Sequence, residues 1–248
     1  MGLPDLPGLR PLTARSAVLS TLLGAHPPRL PARGLVKVGE LFDIAEGTIR
    51  VALSRMVAAG DLHQADGDYE LTERLIRRQT RQDQSRAPTT QTWTGDWEIV
   101  VVTADRRPPA SRTAFRQTMA GLRLAEVREG TWLRPANLDR PLHTDQEVPL
   151  VMLGRPTSDP AALAATLWDL PGWADRARRL HDALDRADGL PASFIISAAV
   201  LRHLVADPLL PAALLPADWP GAWLRARYER FDTSFQSLLR AHLGIHDD

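Results

Sequence analysis

Residues 45–72, AEGTIRVALSRMVAAGDLHQADGDYELT, constrain the fold more than any other stretch, because a helical apolar period runs through Gly60 straight into a hairpin pattern. At 100° per residue, Ile49, Ala52, Leu53 and Met56 fall on one side, the stripe of a core-facing helix. The opposite side carries Gly47, Val51, Ser54 and Ala58, flanked by Arg50 and Arg55, with Thr48 beside Arg55. A helix exposed only for solubility carries long charged side chains in i,i+4 pairs. This one keeps a narrow ridge of small side chains between two arginines, a shape that fits a DNA major groove about 12 Å wide.

The neighbouring residues give that helix its setting. Thr13 predicts the N-cap of a first helix whose Val18, Leu19, Leu22 and Leu23 share one side, and Gly24 ends it before the prolines from 27 to 31. Leu35, Val38, Leu41 and Phe42 recur at near-helical spacing, and Asp43-Ile44-Ala45 joins this short second helix to the third as a helix-turn-helix. Beyond Gly60, Leu62 and His63 form one arm of a hairpin, Asp66-Gly67-Asp68 its turn, and Tyr69 to Leu71 the other arm, a wing. The residues expected to meet DNA are Lys37, Gly47, Thr48, Arg50, Val51, Ser54 and Arg55. Two features depart from a typical reading head: the wing tip is acidic at Asp66 and Asp68, and Ala45 at the N-cap has no side-chain oxygen. Winged helices also serve as docking modules for proteins, and that reading stands as an alternative.

The chain is 248 residues long and 44% hydrophobic, enough for one large domain or two to three small ones. Thirty basic residues balance thirty acidic ones, so a DNA surface must be local rather than a global basic field. Lys37 is the single lysine, a bias given no functional weight. Without cysteine there are no disulfides or thiolate metal sites, in keeping with a reducing cytoplasm, the expected location. MGLPDLPGLRP carries an acid and three prolines where a signal peptide needs an apolar run, and reads as a disordered head over 1–12. The longest apolar run, Phe194 to Leu201, is too short to span a bilayer.

Past the winged helix-turn-helix at 13–72, residues 73–92 read as a polar connecting helix and linker, anchored by Leu75 and Ile76, with Arg74, Arg77, Arg78 and Arg81 forming a solvated face. WTGDW and the run Glu98 to Thr103 then start a strand, and Phe115, Met119 and Leu122 set a helix. LAEVREGTWLRP reads as two strands around Glu129-Gly130, and VPLVMLG as another. That order suits a ferredoxin-like α+β domain over 93–155. From 156 to 248 the pattern is helical: a helix capped by Ser158 or Asp159, others near 172–187, 191–206 and 220–243, and a proline-rich apolar connector, DPLLPAALLPADWPG. The fold class expected is α+β, with an N-terminal winged helix-turn-helix, a ferredoxin-like middle domain and an α-helical C-terminal domain.

TIRVALSRMVAAGDL, WTGDW, GTWLRP, LWDL and DPLLPAALLPADWPG, five motifs in this order over most of the chain, resemble the PaaX-type repressors of phenylacetic acid catabolism. The resemblance implies a homodimeric repressor that leaves its operator when an acyl-coenzyme A such as phenylacetyl-coenzyme A binds. Such an effector needs cations for its phosphates and an apolar slot; the candidates are Trp132, Arg134, Trp168, Trp173, Arg178, Arg179, Arg202 and His203. The partners expected are a double-stranded inverted-repeat operator, the effector and a second copy of the chain, with no membrane and no cofactor.

The middle unit also resembles the small ferredoxin-like nucleases of CRISPR loci, in which an aspartate after the first strand holds a divalent cation. Asp105 follows VVVTA here, but Arg106 and Arg107 adjoin it, which favours a loop acid paired with arginine. No GxSxG, HExxH or phosphate-binding glycine loop is present, and His181, His203 and His242 read as helix-surface or cap residues. The chain is therefore expected not to be an enzyme, with a metal-dependent nuclease as the alternative.

Overall fold

A computed structural model describes Leu6 and residues 9–102, 109–140 and 150–244, with the backbone alone for 109–112. The head at 1–12 falls mostly outside these residues. Helix α1 (Ala14–Gly24) begins where Thr13 and Ser16 exchange side-chain and backbone hydrogen bonds in a capping box. A short strand β1 (Arg29–Pro31) follows, then α2 (Ala32–Glu40) and α3 (Glu46–Ala58). Strands β2 (Leu62–Ala65) and β3 (Asp68–Leu71) make the hairpin, whose two turn residues, Asp66 and Gly67, both take positive φ as a type I′ turn requires. Strand β1 adds to the hairpin in the antiparallel order β1-β3-β2. Three residues ending in a proline carry no strand signal, so the sequence does not predict β1; its pairing with Asp68–Glu70 supplies the order.

Helix α4 (Glu73–Arg86) is polar for a structural reason. Buried Gln79 donates from Nε2 to the carbonyls of Leu23 and Ala25, both at 2.9 Å, satisfying the orphan acceptors at the end of α1. Leu75 anchors the helix as expected, whereas Ile76 is 40% exposed. Buried Asp61, just past α3, accepts from both Arg15 and Arg74 and so ties α1, the base of the hairpin and α4 together.

The chain divides into two compact units. The first comprises Met1–Ala87, Asp175–Ala206 and Pro220–Asp248. In it α8 (Gly189–Val205) and α9 (Gly221–Leu243) join the N-terminal helices, with Phe194, Phe235 and Leu239 packed against Ala17, Val38 and Phe42. A second core in this unit is built from α1, α2, α3 and the hairpin, around Val18, Leu22, Leu35, Ile49, Leu53 and Met56.

The other unit comprises Pro88–Ala174 and Asp207–Trp219. Strands β4 (Trp97–Val101), β5 (Ala125–Arg128), β6 (Thr131–Pro135) and β7 (Leu150–Gly154) form a sheet of order β5-β6-β4-β7 with every neighbouring pair antiparallel. Side-chain alternation gives each face its own cover. Val100 and Trp132 meet Phe115 and Met119 of α5 (Pro109–Gly121). Trp97 and Leu133 meet α6 (Pro160–Leu167), Leu170 at the start of α7 (Leu170–Asp185), and Leu210 and Leu214 from the proline-rich connector. Residues 156–248 thus contribute to both units, because the connector's leucines cover the sheet while α8 and α9 bury theirs against the N-terminal helices. The architecture is α+β, and no helix among the described residues is long and apolar enough to cross a membrane.

Candidate nucleic-acid interface

The side chains of α3 divide as the wheel predicts. Ile49, Leu53 and Met56 are buried, whereas Gly47, Thr48, Arg50, Val51, Ser54 and Arg55 are exposed, as is Lys37 on α2. Val51 is 51% exposed, an apolar side chain held in water at the centre of the ridge. The ridge is bare at its N-terminal end too: a Cβ added at Gly47 would meet nothing within 4 Å. Ala45 gives α3 no side-chain cap; its carbonyl accepts from the amides of Thr48 at 2.9 Å and Ile49 at 3.2 Å, and Glu46 places an acid in the first turn.

Arg50 is not bare. Its guanidinium meets Glu46 Oε1 at 2.7 Å in an exposed i,i+4 pair, a contact the ridge reading passed over. The acids nearest in sequence are engaged elsewhere: Asp61 is taken by Arg15 and Arg74, and Glu40 lies 3.2 Å from His242 Nε2. Among the described residues Arg55 has no ion pair. His242 also donates to the Lys37 carbonyl at 3.0 Å, a cap role, but His181 and His203 are buried rather than on the surface, and His181 stacks on Trp223 at 3.3 Å. Burial, chiefly, pulls the His181 imidazole below its usual value.

The arginines of α4 have separate duties. Arg74 serves Asp61, Arg77 meets Glu73 at 3.3 Å, and Arg86 binds Glu229 at 2.8 Å and Asp232 at 2.6 Å while lying over the Tyr228 ring. The acidic tip of the β2-β3 hairpin, at Asp66 and Asp68, is exposed or half-exposed.

The eight effector candidates fall in different surroundings. Trp132 is core on the α5 face. Arg134 is fully buried, donating to the Pro135 carbonyl at 2.9 Å and Asn137 Oδ1 at 2.8 Å, 3.7 Å from Glu98; burial above all brings its guanidinium down to about 9. Trp168 packs on the opposite face of the sheet, and Trp173 stacks on Trp219 at 4.5 Å. These four belong to the second unit; Arg178, Arg179, Arg202 and His203 belong to the first. Arg179 pairs with Asp175 at 2.9 Å, His203 is buried, and Arg202 lines a cleft between helices. Asp105, the residue on which a nuclease would turn, lies outside the described residues.

The chain is α+β, with a small-faced, exposed helix seated on a helical core, and comparison with known proteins gives it a family. The model described as PaaX-like protein matches residues 13–75, that of the PaaX protein central Cas2-like domain residues 90–147, and that of the PaaX-like protein C-terminal domain residues 172–244. The chain belongs to the PaaX family, and membership points to a transcriptional regulator rather than an enzyme. It is similar to the solved structure of the uncharacterized protein Rv0674 from Mycobacterium tuberculosis, with 45% identity over 93% of this chain and 98% of that one, at a TM-score of 0.79. No curated protein matches the chain.

Proposed function

We propose that the chain is a sequence-specific DNA-binding repressor that reads an inverted-repeat operator as a C2 homodimer and is released by an acyl-coenzyme A such as phenylacetyl-coenzyme A. In this reading residues 13–72 are a winged helix-turn-helix with α3 as its recognition helix, and the β5-β6-β4-β7 sheet is a ferredoxin-like middle domain. The observation that carries the proposal is the exposed face of α3, with Val51 and Ser54 between Arg50 and Arg55 over a fully buried apolar stripe. The test is quantitative footprinting across the DNA upstream of the chain's own gene and its neighbours. A protected site with two half-sites centred about 34 Å apart is expected; binding of monomers to single, unrelated sites would contradict the proposal.

The two edges of the four-stranded sheet differ in a way that supports self-association. Strand β5 is blunted by Glu126, Arg128 and a bulge between them, the usual guards against strand addition. At the other edge β7 offers four consecutive exposed apolar residues, Leu150, Val151, Met152 and Leu153, with no charge among them. Such an edge pairs with a second copy of itself only antiparallel about a two-fold axis, the symmetry an inverted repeat demands. Leu153 is 69% exposed, so Leu153→Lys leaves the fold intact. Light scattering after size exclusion is expected to give a dimer for the parent chain and a monomer for this variant; an unchanged mass would place the dimer contact elsewhere.

The nuclease alternative makes its own forecast. Purified protein is expected to leave RNA and DNA uncut with Mg²⁺ or Mn²⁺. Cleavage that disappears in Asp105→Asn would overturn the regulator reading in favour of an enzyme.

A further inference from the structure

Helix α3 carries a single acid, Glu46, and it stands in the first turn. Its side chain is 58% exposed, and its Oε1 lies 2.7 Å from both Nε and Nη2 of Arg50. Among the described residues no other cation meets it. Both contacts run to the same oxygen, and a carboxylate offers about four lone-pair sites, so Glu46 keeps acceptor capacity while it holds Arg50. When Arg50 turns to a base edge, that capacity is left wholly open.

A carboxylate is a liability on a surface that approaches DNA, where every phosphate is negative. It is tolerated there when the duplex supplies a donor in exchange. In a helix-turn-helix the N-terminal residues of the recognition helix are the ones that meet base edges. Glu46 and Gly47 hold that position in α3, and a Cβ built on Gly47 would meet nothing within 4 Å, so the space beside Glu46 is open.

The major-groove edges of the bases decide which of them satisfies a carboxylate. Guanine presents the acceptors O6 and N7, and thymine the acceptor O4, all of which repel it. Adenine sets its N6 donor beside the N7 acceptor, whereas cytosine shows the N4 donor and no acceptor. We infer that Glu46 is a specificity-determining residue that accepts from N4 of a cytosine in each half-site, while Arg50 reads a guanine at a separate base pair. Glu46 then selects in two ways, by the bond it makes to cytosine and by the repulsion it meets at thymine or guanine. The inference rests on the reading of α3 as a recognition helix. Glu46 was not among the expected contact residues, because on the wheel Arg50 stands between it and the ridge.

Selection by the full chain from a duplex library with a random core, followed by anisotropy titration of the selected site and its single-base variants, tests this. The parent is expected to select cytosine at one position of each half-site, and to bind a thymine replacement there at least about tenfold more weakly. Glu46→Ala is expected to lose that preference while the guanine position keeps its own. Glu46→Gln is expected to move the preferred base to adenine, whose N6 and N7 match a carboxamide. Both variants give up only an exposed i,i+4 pair and are expected to melt near the parent. If both variants select the parent's motif unchanged, or if Glu46→Ala relaxes only the position that Arg50→Ala relaxes, Glu46 does no more than steady its helix or Arg50. The inference then fails and the regulator reading stands. A parent chain that enriches no motif refutes the regulator reading and the inference with it.

Discussion

Arg50→Ala is expected to weaken binding to the operator at least tenfold and to narrow the gap between operator and random DNA, whereas Arg77→Ala changes both affinities equally or not at all. Arg50 flanks the exposed ridge of α3, its side chain 60% exposed. Its partner Glu46 does not hold it firmly, because an exposed i,i+4 pair is worth only about 0.3–0.5 kcal/mol. A bidentate contact to a guanine edge is worth about 1–3 kcal/mol of discrimination, so Arg50 gains by exchanging one partner for the other. Arg77 sits on α4 beside Glu73 and has only phosphate within the logic of that helix; its loss lowers the salt slope by about one without changing sequence preference. Fluorescence anisotropy on operator and random duplexes at two salt concentrations separates the roles. If the Arg50→Ala dimer melts like the parent and keeps both affinity and specificity, the ridge is not a reading surface and the module docks a protein instead.

Gly39→Ala is expected to destabilise the first unit by about 1–3 kcal/mol, the cost of forcing an extra methyl into a packed core. A Cβ at this position would lie 2.6 Å from Ile49 Cγ1 and 3.0 Å from the backbone oxygen of Ile44. Neither neighbour yields easily, since Ile49 is fully buried beneath α3 and the Ile44 carbonyl belongs to the turn. The Gly39 carbonyl in addition accepts from the amides of Phe42 at 3.0 Å and Ile44 at 3.0 Å, closing the connection between α2 and α3. Pushing the two helices apart therefore alters the angle at which the α3 face is presented as well as stability. Chemical denaturation should give a lower midpoint at an unchanged slope; Gly47→Ala, where the added methyl meets nothing, is the matched control and is expected to be neutral or slightly stabilising. A Gly39→Ala midpoint equal to that of the parent would mean that α2 and α3 are not in close contact.

The helices and hairpin of residues 13–72 were legible because their signals are local. Thr13 with Ser16 caps α1, Asp66-Gly67 meets the demand for positive φ at both turn positions, and the 3.6-residue period of Ile49, Leu53 and Met56 needs no distant partner to place those residues inward. The exposed ridge residues follow by exclusion from the same period. Charged side chains were less legible. Asp61 reads as an ordinary loop acid until Arg15, 46 residues earlier, and Arg74 arrive on it, and Gln79 reads as a solvated helix residue until the end of α1 is brought against it.

Local periodicity, capping and turn chemistry in the chain sufficed for element type, for the buried face of α3 and for the ridge beside it. Three features came only with the folded chain: the third strand of the first sheet, the division of the C-terminal residues between two units, and the seat of Asp61 between Arg15 and Arg74. The physical reason is common to all three. A side chain's solvent exposure and ionic partners are set by residues tens to more than a hundred positions away, as when Arg86 of a polar connector finds Glu229 and Asp232 on the last helix. Packing free energy, not local propensity, selects those neighbours.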